Sequence, residues 1–420
     1  MRKVFCMLLA ALLIGSVALA TAETVIDGKE VRNITINEAG LNEAPEGVSP
    51  TTGRLLSELA AAAPSNATGL AVTGRYMPML VQIDNADNGI GIRSPWGGLW
   101  ADIIYESPLY NSGDTRISML FSDVIPDAVG PVRSARLGHV WLREEWDAGF
   151  MFYGQQEFPK TNVKAEFKRL GADDKGVLFS GTDGSNKPWK KFYTKVQSLK
   201  NPHDKSGNAA EISKLIPETH TAPNHTFLFT DEPLTGGDTA NTITLHWLSY
   251  PYTNQLVYDA ARNQYYRYML EEDKKGNLTP HMWVDFYTLK DETGYADLTT
   301  ESFKYKNIRG ERQPISFNNI IIQHLQCDWV ASNAPVTYNV GDAAYFGKNT
   351  FVAQGNADFF MNGQHVAGVW KRNDMTSRTV FYGPDGNEMK LQRGRTLIVM
   401  MPFNAPKADY PDHFTHVSYE

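Results

Sequence analysis

The chain has 420 residues, of which 21% are charged, and a formal charge of −7. That acidity argues against a nucleic-acid binder, which needs a basic face. The length can bury ample core in two domains or more, and the single cysteine beyond the leader, Cys327, excludes an intramolecular disulfide in a processed chain.

Arg2 and Lys3 precede an almost wholly apolar run, Val4 to Ala20, and Ala20-Thr21-Ala22 fits a small-x-small cleavage site. Residues 1–22 therefore read as an export signal, cut before Glu23 or, alternatively, after Ala20. Left uncut, the segment has borderline length for a membrane anchor. Cys6 lies too early to be a lipid-modified cysteine at the cleavage site. The expected location is extracytoplasmic, secreted or envelope-associated, with membrane contact only through an uncut N-terminus. Losing Arg2 and Lys3 takes the formal charge from −7 to −9.

Residues 23–74 read as a polar, extended lead-in and linker with one short helix over 54–63. Residues 75–235 mix strands with helices. Strands are expected at 77–85, 100–106, 116–121 and 149–154, and helices at 137–147 and 161–170. Asn208, with Glu211 three residues on, caps a helix through Ile216. An α+β or α/β N-terminal domain with a mixed sheet follows. From 240 to 405 the texture becomes strand-like and aromatic, with strong turns at Asn362-Gly363 and Pro384-Asp385-Gly386 and a third candidate at Lys275-Gly276-Asn277. This predicts a β-rich, mainly antiparallel C-terminal domain, with residues 406–420 as a tail.

Residues 115–136 concentrate the chemistry. The apolar strand Ile117 to Phe121 is followed by a Pro-Asp turn, a Gly130-Pro131 break, and then Arg133 and Arg136; Arg116 opens the strand. Guanidinium groups are fixed forks suited to carboxylate or phosphate, so Arg116, Arg133 and Arg136 are candidate ligand-binding residues. A helix beginning after Arg136 can add backbone N–H groups and its positive dipole end. The competing structural reading pairs these arginines with Asp84, Asp102, Glu106 or Asp114. Asp84, Asp102 and Glu106 are also acid–base candidates; no cofactor is expected, the alternative being Mg²⁺ or Ca²⁺ with Asp84 and Asp102 as candidate oxygen ligands. His203 is a further candidate base, oriented by the adjacent Asp204. Asn88-Gly89-Ile90-Gly91 and Trp96-Gly97-Gly98 read as a mobile loop or lid, with Trp96 and Trp100 as an exposed aromatic pair. Gly-x-Ser-x-Gly, His-Glu-x-x-His and Cys-x-x-Cys do not occur, which disfavours a serine hydrolase, a zincin and a thiol redox enzyme.

Several of these stretches are similar to the DUF3048 family, the YerB-like exported proteins of bacterial envelopes. The resemblance runs through Ser49-Pro50-Thr51-Thr52-Gly53, Val81-Gln82-Ile83-Asp84-Asn85 and Ala101 to Glu106. It is most specific at Gly130-Pro131-Val132-Arg133-Ser134-Ala135-Arg136, and Asn201-Pro202-His203-Asp204 looks like a later family element. Asp204 stands where the family usually has Asn, and Leu137 where many members carry an acid. The resemblance covers most of residues 49–403 and implies a separate C-terminal domain, but no settled reaction. Whether the protein is an enzyme is left open. The leading expectation is an envelope protein that binds an anionic small molecule or cell-wall glycopolymer at the arginines. A metal-assisted transferase or hydrolase acting on such a polymer, similar in layout to the LytR-CpsA-Psr glycopolymer transferases, is the alternative. A third reading is an adaptor whose β-rich domain docks an envelope protein partner along a sheet edge.

Overall fold

The computed structural model describes residues 23–85, 94–109, 115–159, 161–196, 201–247, 253–272, 275–288, 295–297, 304–306, 308–325, 327–328, 337–338, 353–403 and 416–420. The predicted export signal, the glycine-rich stretch 88–91, Asp114 and most of the predicted tail lie outside these residues.

An 11-stranded sheet organises the molecule. Five of its strands come from the first half: β1 (Met79–Asp84), β2 (Ile103–Pro108), β3 (Thr115–Phe121), β4 (Gly149–Phe152) and β5 (Leu178–Ser180). Four come from the second: β6 (Asn319–Leu325), β7 (Ala353–Met361), β8 (Gln364–Arg372) and β9 (Thr396–Pro402). The order is β8-β7-β6-β9-β2-β3-β1-β4-β5, with two short strands, Asp238–Thr239 and Val380–Tyr382, on β8. It is mixed: β6·β9, β9·β2, β1·β4 and β4·β5 are parallel, the other neighbours antiparallel. The predicted mixed sheet and β-rich second half are therefore present. The sheet does not stop near residue 240, because β9 pairs with β2 from Thr396↔Ile103 to Val399↔Glu106. Strands buried on both faces read as unbroken apolar runs. Ile320-Ile321-Ile322 of β6 and Leu397 to Met401 of β9 do so, and all are buried. Asn362 and Gly363, both at positive φ, close β7 onto β8 as the Asn-Gly pair predicts.

Each face of this sheet is covered. On one lie helices α2 (Leu137–Trp146) and α3 (Val163–Arg169), which bury Val140, Trp141, Trp146 and Phe167 against Leu80, Leu120, Ile103 and Phe150. On the other lies a second, antiparallel sheet containing Thr242–His246, Thr253–Asp259, Gln264–Glu272 and Leu278–Met282. Its Ile243, Leu245, Leu256 and Tyr265 pack with Val81, Ile83, Ile117 and Met119. Helix α1 (Leu56–Ala62) and helix α4 (Ala209–Ser213) match predicted helices, and Asn208 accepts from the Glu211 N–H at 2.9 Å as the cap expected. The polar lead-in is strapped down. Thr24–Ile26 pairs with His416–Tyr419, and Arg32 donates to Asp358 at 2.7 Å.

Candidate functional site

Side chains alternate across a strand, so the sheet sorts the predicted acids by face. Asp84 ends β1 directly opposite Arg116 on β3. Both lie on the α2 face, in a polar row with Gln82, whose amide donates to Ser118 at 2.6 Å. Glu106 points to the opposite face. There both its carboxylate oxygens accept from Arg267 Nη2 at 2.7 Å, and Thr115 donates at 2.8 Å. Arg267 is fully buried with its guanidinium 3.7 Å from the Trp283 ring centroid. Burial pulls its pKa down against the opposing pull of Glu106.

Asp102 sits at the far end of the strands from Asp84. Its neighbour Ile103 pairs with Leu120, whereas Asp84 pairs with Arg116. Asp102 thus falls opposite Phe121, five strand steps from Arg116 and roughly 17 Å away along the strands, so one metal ion cannot bridge the two as the candidate pair required. Asp102 Oδ2 accepts from the Ser122 N–H and hydroxyl, both at 2.6 Å, from Thr51 at 3.2 Å and from the Asp123 N–H at 3.1 Å. Burial first, and then the neighbouring Asp123, raise its pKa well above the carboxylate range. Thus Ser49–Gly53 docks on a buried acid pair that the sequence reading did not identify. Among the described residues, no group of three or more His, Cys, Asp or Glu is arranged to hold a metal ion.

The arginine motif folds along the end of β1. The Asp84 N–H donates to Pro131 O at 2.8 Å and the Arg133 N–H to Gln82 O at 2.9 Å, so residues 131–133 take the edge that β4 leaves. Lys205–Gly207 runs beside them: Val132 N–H donates to Lys205 O at 2.7 Å, and Val129 and Gly207 exchange bonds at 2.9 and 3.0 Å. This brings His203 onto Asp84, where its Nδ1 hydrogen-bonds Oδ2. The carboxylate that orients His203 is therefore Asp84, not the adjacent Asp204. Asp204 instead accepts from Lys205 at 2.6 Å and lies 3.8 Å from Lys195. Gly130-Pro131 and Asn201-Pro202 are both cis. Gly130 is needed for space, since a Cβ there would come 2.4 Å from the Trp96 ring. Trp96 is fully buried and donates to Ser206 at 3.1 Å, which corrects its expected exposure.

Arg133 Nε lies 3.7 Å from Asp84 Oδ1. Among the described residues that carboxylate is its charge partner, its Nε makes no hydrogen bond, and its side chain keeps 17% of its exposure. Arg116 is buried and donates to Ser134 O at 3.2 Å. Arg136 caps α2, donating from its side chain to Ala135 O at 3.0 Å and from its backbone to His139 Nδ1 at 3.1 Å. His139 is held neutral: burial first, then the charges of Arg116 and Arg136, depress its pKa well below the usual range. One buried ring thus senses two of the three arginines, while the third meets Asp84. Only Asp84 of the predicted acids pairs with a motif arginine among the described residues.

The two halves of the sheet coincide with two family matches. Residues 67–218 match the family described as "Protein of unknown function (DUF3048) N-terminal domain" and residues 287–398 match its C-terminal domain. The chain belongs to the DUF3048 family. In this member the N-terminal match supplies β1–β5 and the C-terminal match β6–β8 and the start of β9, so the β9·β2 pairing is the seam between them. A solved structure, the YerB protein from Bacillus subtilis, is similar in fold, with a TM-score of 0.55 at 18% identity; the match covers 86% of this chain and 98% of that one. A comparison with curated proteins finds no match. Within the N-terminal match, Pro131, Arg133 and His203 meet at Asp84.

Proposed function

We propose that this protein binds an anionic group, a phosphate, pyrophosphate or carboxylate, at Arg133, with Arg116 and Arg136 adding positive charge. The observation that carries the reading is Arg133 itself. Its guanidinium is partly exposed and clamped at the backbone, yet its charge partner among the described residues stands beyond hydrogen-bonding distance. A guanidinium with unused donors is suited to bidentate capture of an oxyanion. The leader-like N-terminus supports an extracytoplasmic setting, where cell-wall glycopolymers present such groups. Among the described residues, no helix is long and apolar enough to cross a membrane.

The test is thermal melting of residues 23–420 against phosphate, pyrophosphate and cell-wall fragments. A ligand of the native state raises the melting temperature by mass action. The expected result is a rise with at least one of these in the wild type and none in Arg133→Ala. Equal shifts in both proteins would remove Arg133 from the site.

A further inference from the structure

Arg133 borders a strip of lysines and aromatic rings. The Tyr153 N–H donates to Arg133 O at 2.9 Å, so the ring-bearing segment adjoins the motif. Two ammonium groups flank the Tyr153 ring, Lys205 at 5.4 Å and Lys190 at 5.9 Å from its centroid. Further along, Lys187 lies 5.3 Å from the Trp189 ring and Lys191 4.9 Å from Phe192. Tyr153 packs edge-on to Tyr193, and Trp189 edge-on to Phe179. Residues 187–205 carry six lysines and one aspartate in a chain of formal charge −7. Lys187 and Lys191 are exposed and make no ion pair among the described residues. Asp204 is shared by Lys205 and Lys195, and Asp183 lies near Lys187 and Lys190.

Such a concentration of cation on an acidic protein costs repulsion unless counter-charge arrives. A single phosphate would satisfy Arg133 and leave the lysines as they are. A chain of phosphates would meet them in series, with its intervening groups resting on Tyr153 and Trp189.

We propose that Arg133 and a lysine strip of Lys187, Lys190, Lys191, Lys195 and Lys205 together bind one linear polyanion with repeating phosphate groups. This rests on the anion-binding reading of Arg133 and adds the class of ligand. Binding of this kind strengthens with chain length and weakens steeply with salt, because each contact releases a counterion.

The experiment compares pyrophosphate with soluble polyphosphate of graded length, for wild type and for the triple variant Lys187→Gln, Lys191→Gln, Lys195→Gln. These side chains lie on the surface, and a melting curve confirms that the variant folds. The expected result is wild-type affinity for the longest chain about tenfold or more above that for pyrophosphate, with a steep salt dependence. In the triple variant pyrophosphate binds as before and the gain with length disappears. Length-independent binding in the wild type overturns the strip while leaving Arg133 as an anion site. Length-dependent binding that survives Arg133→Ala overturns the joint site and the Arg133 reading together. Binding to phosphatidylglycerol vesicles, with none to soluble polyphosphate, overturns the polymer in favour of a membrane surface.

Discussion

Two buried acids, Asp102 just before β2 and Glu106 within it, meet different partners. Glu106 faces Arg267 at 2.7 Å, and both side chains are fully buried. Removing one partner of such a pair leaves an uncompensated charge, which costs about 3–5 kcal/mol. Chemical denaturation of Glu106→Gln should show a loss of that order, with partial recovery when Arg267→Met is added. Among the described residues, Asp102 has no cationic partner at hydrogen-bonding distance, and its pKa is raised by burial and then by Asp123. A carboxyl whose folded pKa is raised holds its proton more tightly in the native state. Its contribution is fully present below the unfolded value, near about 4, and is lost as pH rises toward the folded value. The difference in unfolding free energy between wild type and Asp102→Asn should therefore shift in favour of the variant as pH increases above about 4. A constant difference across that range would mean that Asp102 is ionised throughout. The identity of these acids was readable as candidate chemistry. Their partners were not, because Arg267 is 161 residues from Glu106 and Asp84 is 119 from His203. Adjacency suggested Asp204 for His203, but the histidine side chain turns toward β1.

At the level of elements, local sequence carried more. The capped helix after Asn208, the apolar strands β3 and β9 and the Asn362-Gly363 turn each rest on a pattern of a few consecutive residues, and each is present. The loop at Gly130 is different. Its glycine was legible as a break, but the reason for it lies in Trp96, which packs where a Cβ would be. Trp96 looked exposed because it follows a glycine-rich stretch, and only the tertiary bond to Ser206 and the paired backbone bonds to Gly130 show it as the floor of the motif. Gly130→Ala should overpack this contact and cost about 1–3 kcal/mol. Because Arg133 is three residues on, the same change should weaken anion binding beyond what the stability loss explains. A variant with wild-type stability and binding would show that the loop is not fixed by this contact. The lysines of residues 187–205 were equally visible in the sequence. They gained meaning only when Tyr153 placed them beside Arg133.

For the whole molecule, the sheet is the decisive feature. The DUF3048 N- and C-terminal matches suggest separable units, and the change of texture near residue 240 reads the same way. Yet β2 and β9 pair in register, and Ile104 and Leu397 share one core cluster with Ile243 of the second sheet. Sequence pattern identifies strands but holds no signal for which strand lies beside which across nearly 300 residues. Calorimetry of residues 23–420 should give one cooperative transition, since separating the halves would expose the edges of β2 and β9. Two well-separated transitions would mean that the seam contributes little. The same continuity places the Arg133 motif on a rigid edge, where a pre-formed site avoids ordering costs on binding.

The most direct test of the account is an isothermal titration of pyrophosphate into wild type, Arg133→Lys and Arg133→Ala at low and high salt. The account predicts saturable binding in the wild type, weaker binding with lysine, which keeps the charge but loses the fork, and none with alanine. Identical heats from wild type and Arg133→Ala would contradict it, and would leave the arginines as structural partners of Asp84 and the α2 cap.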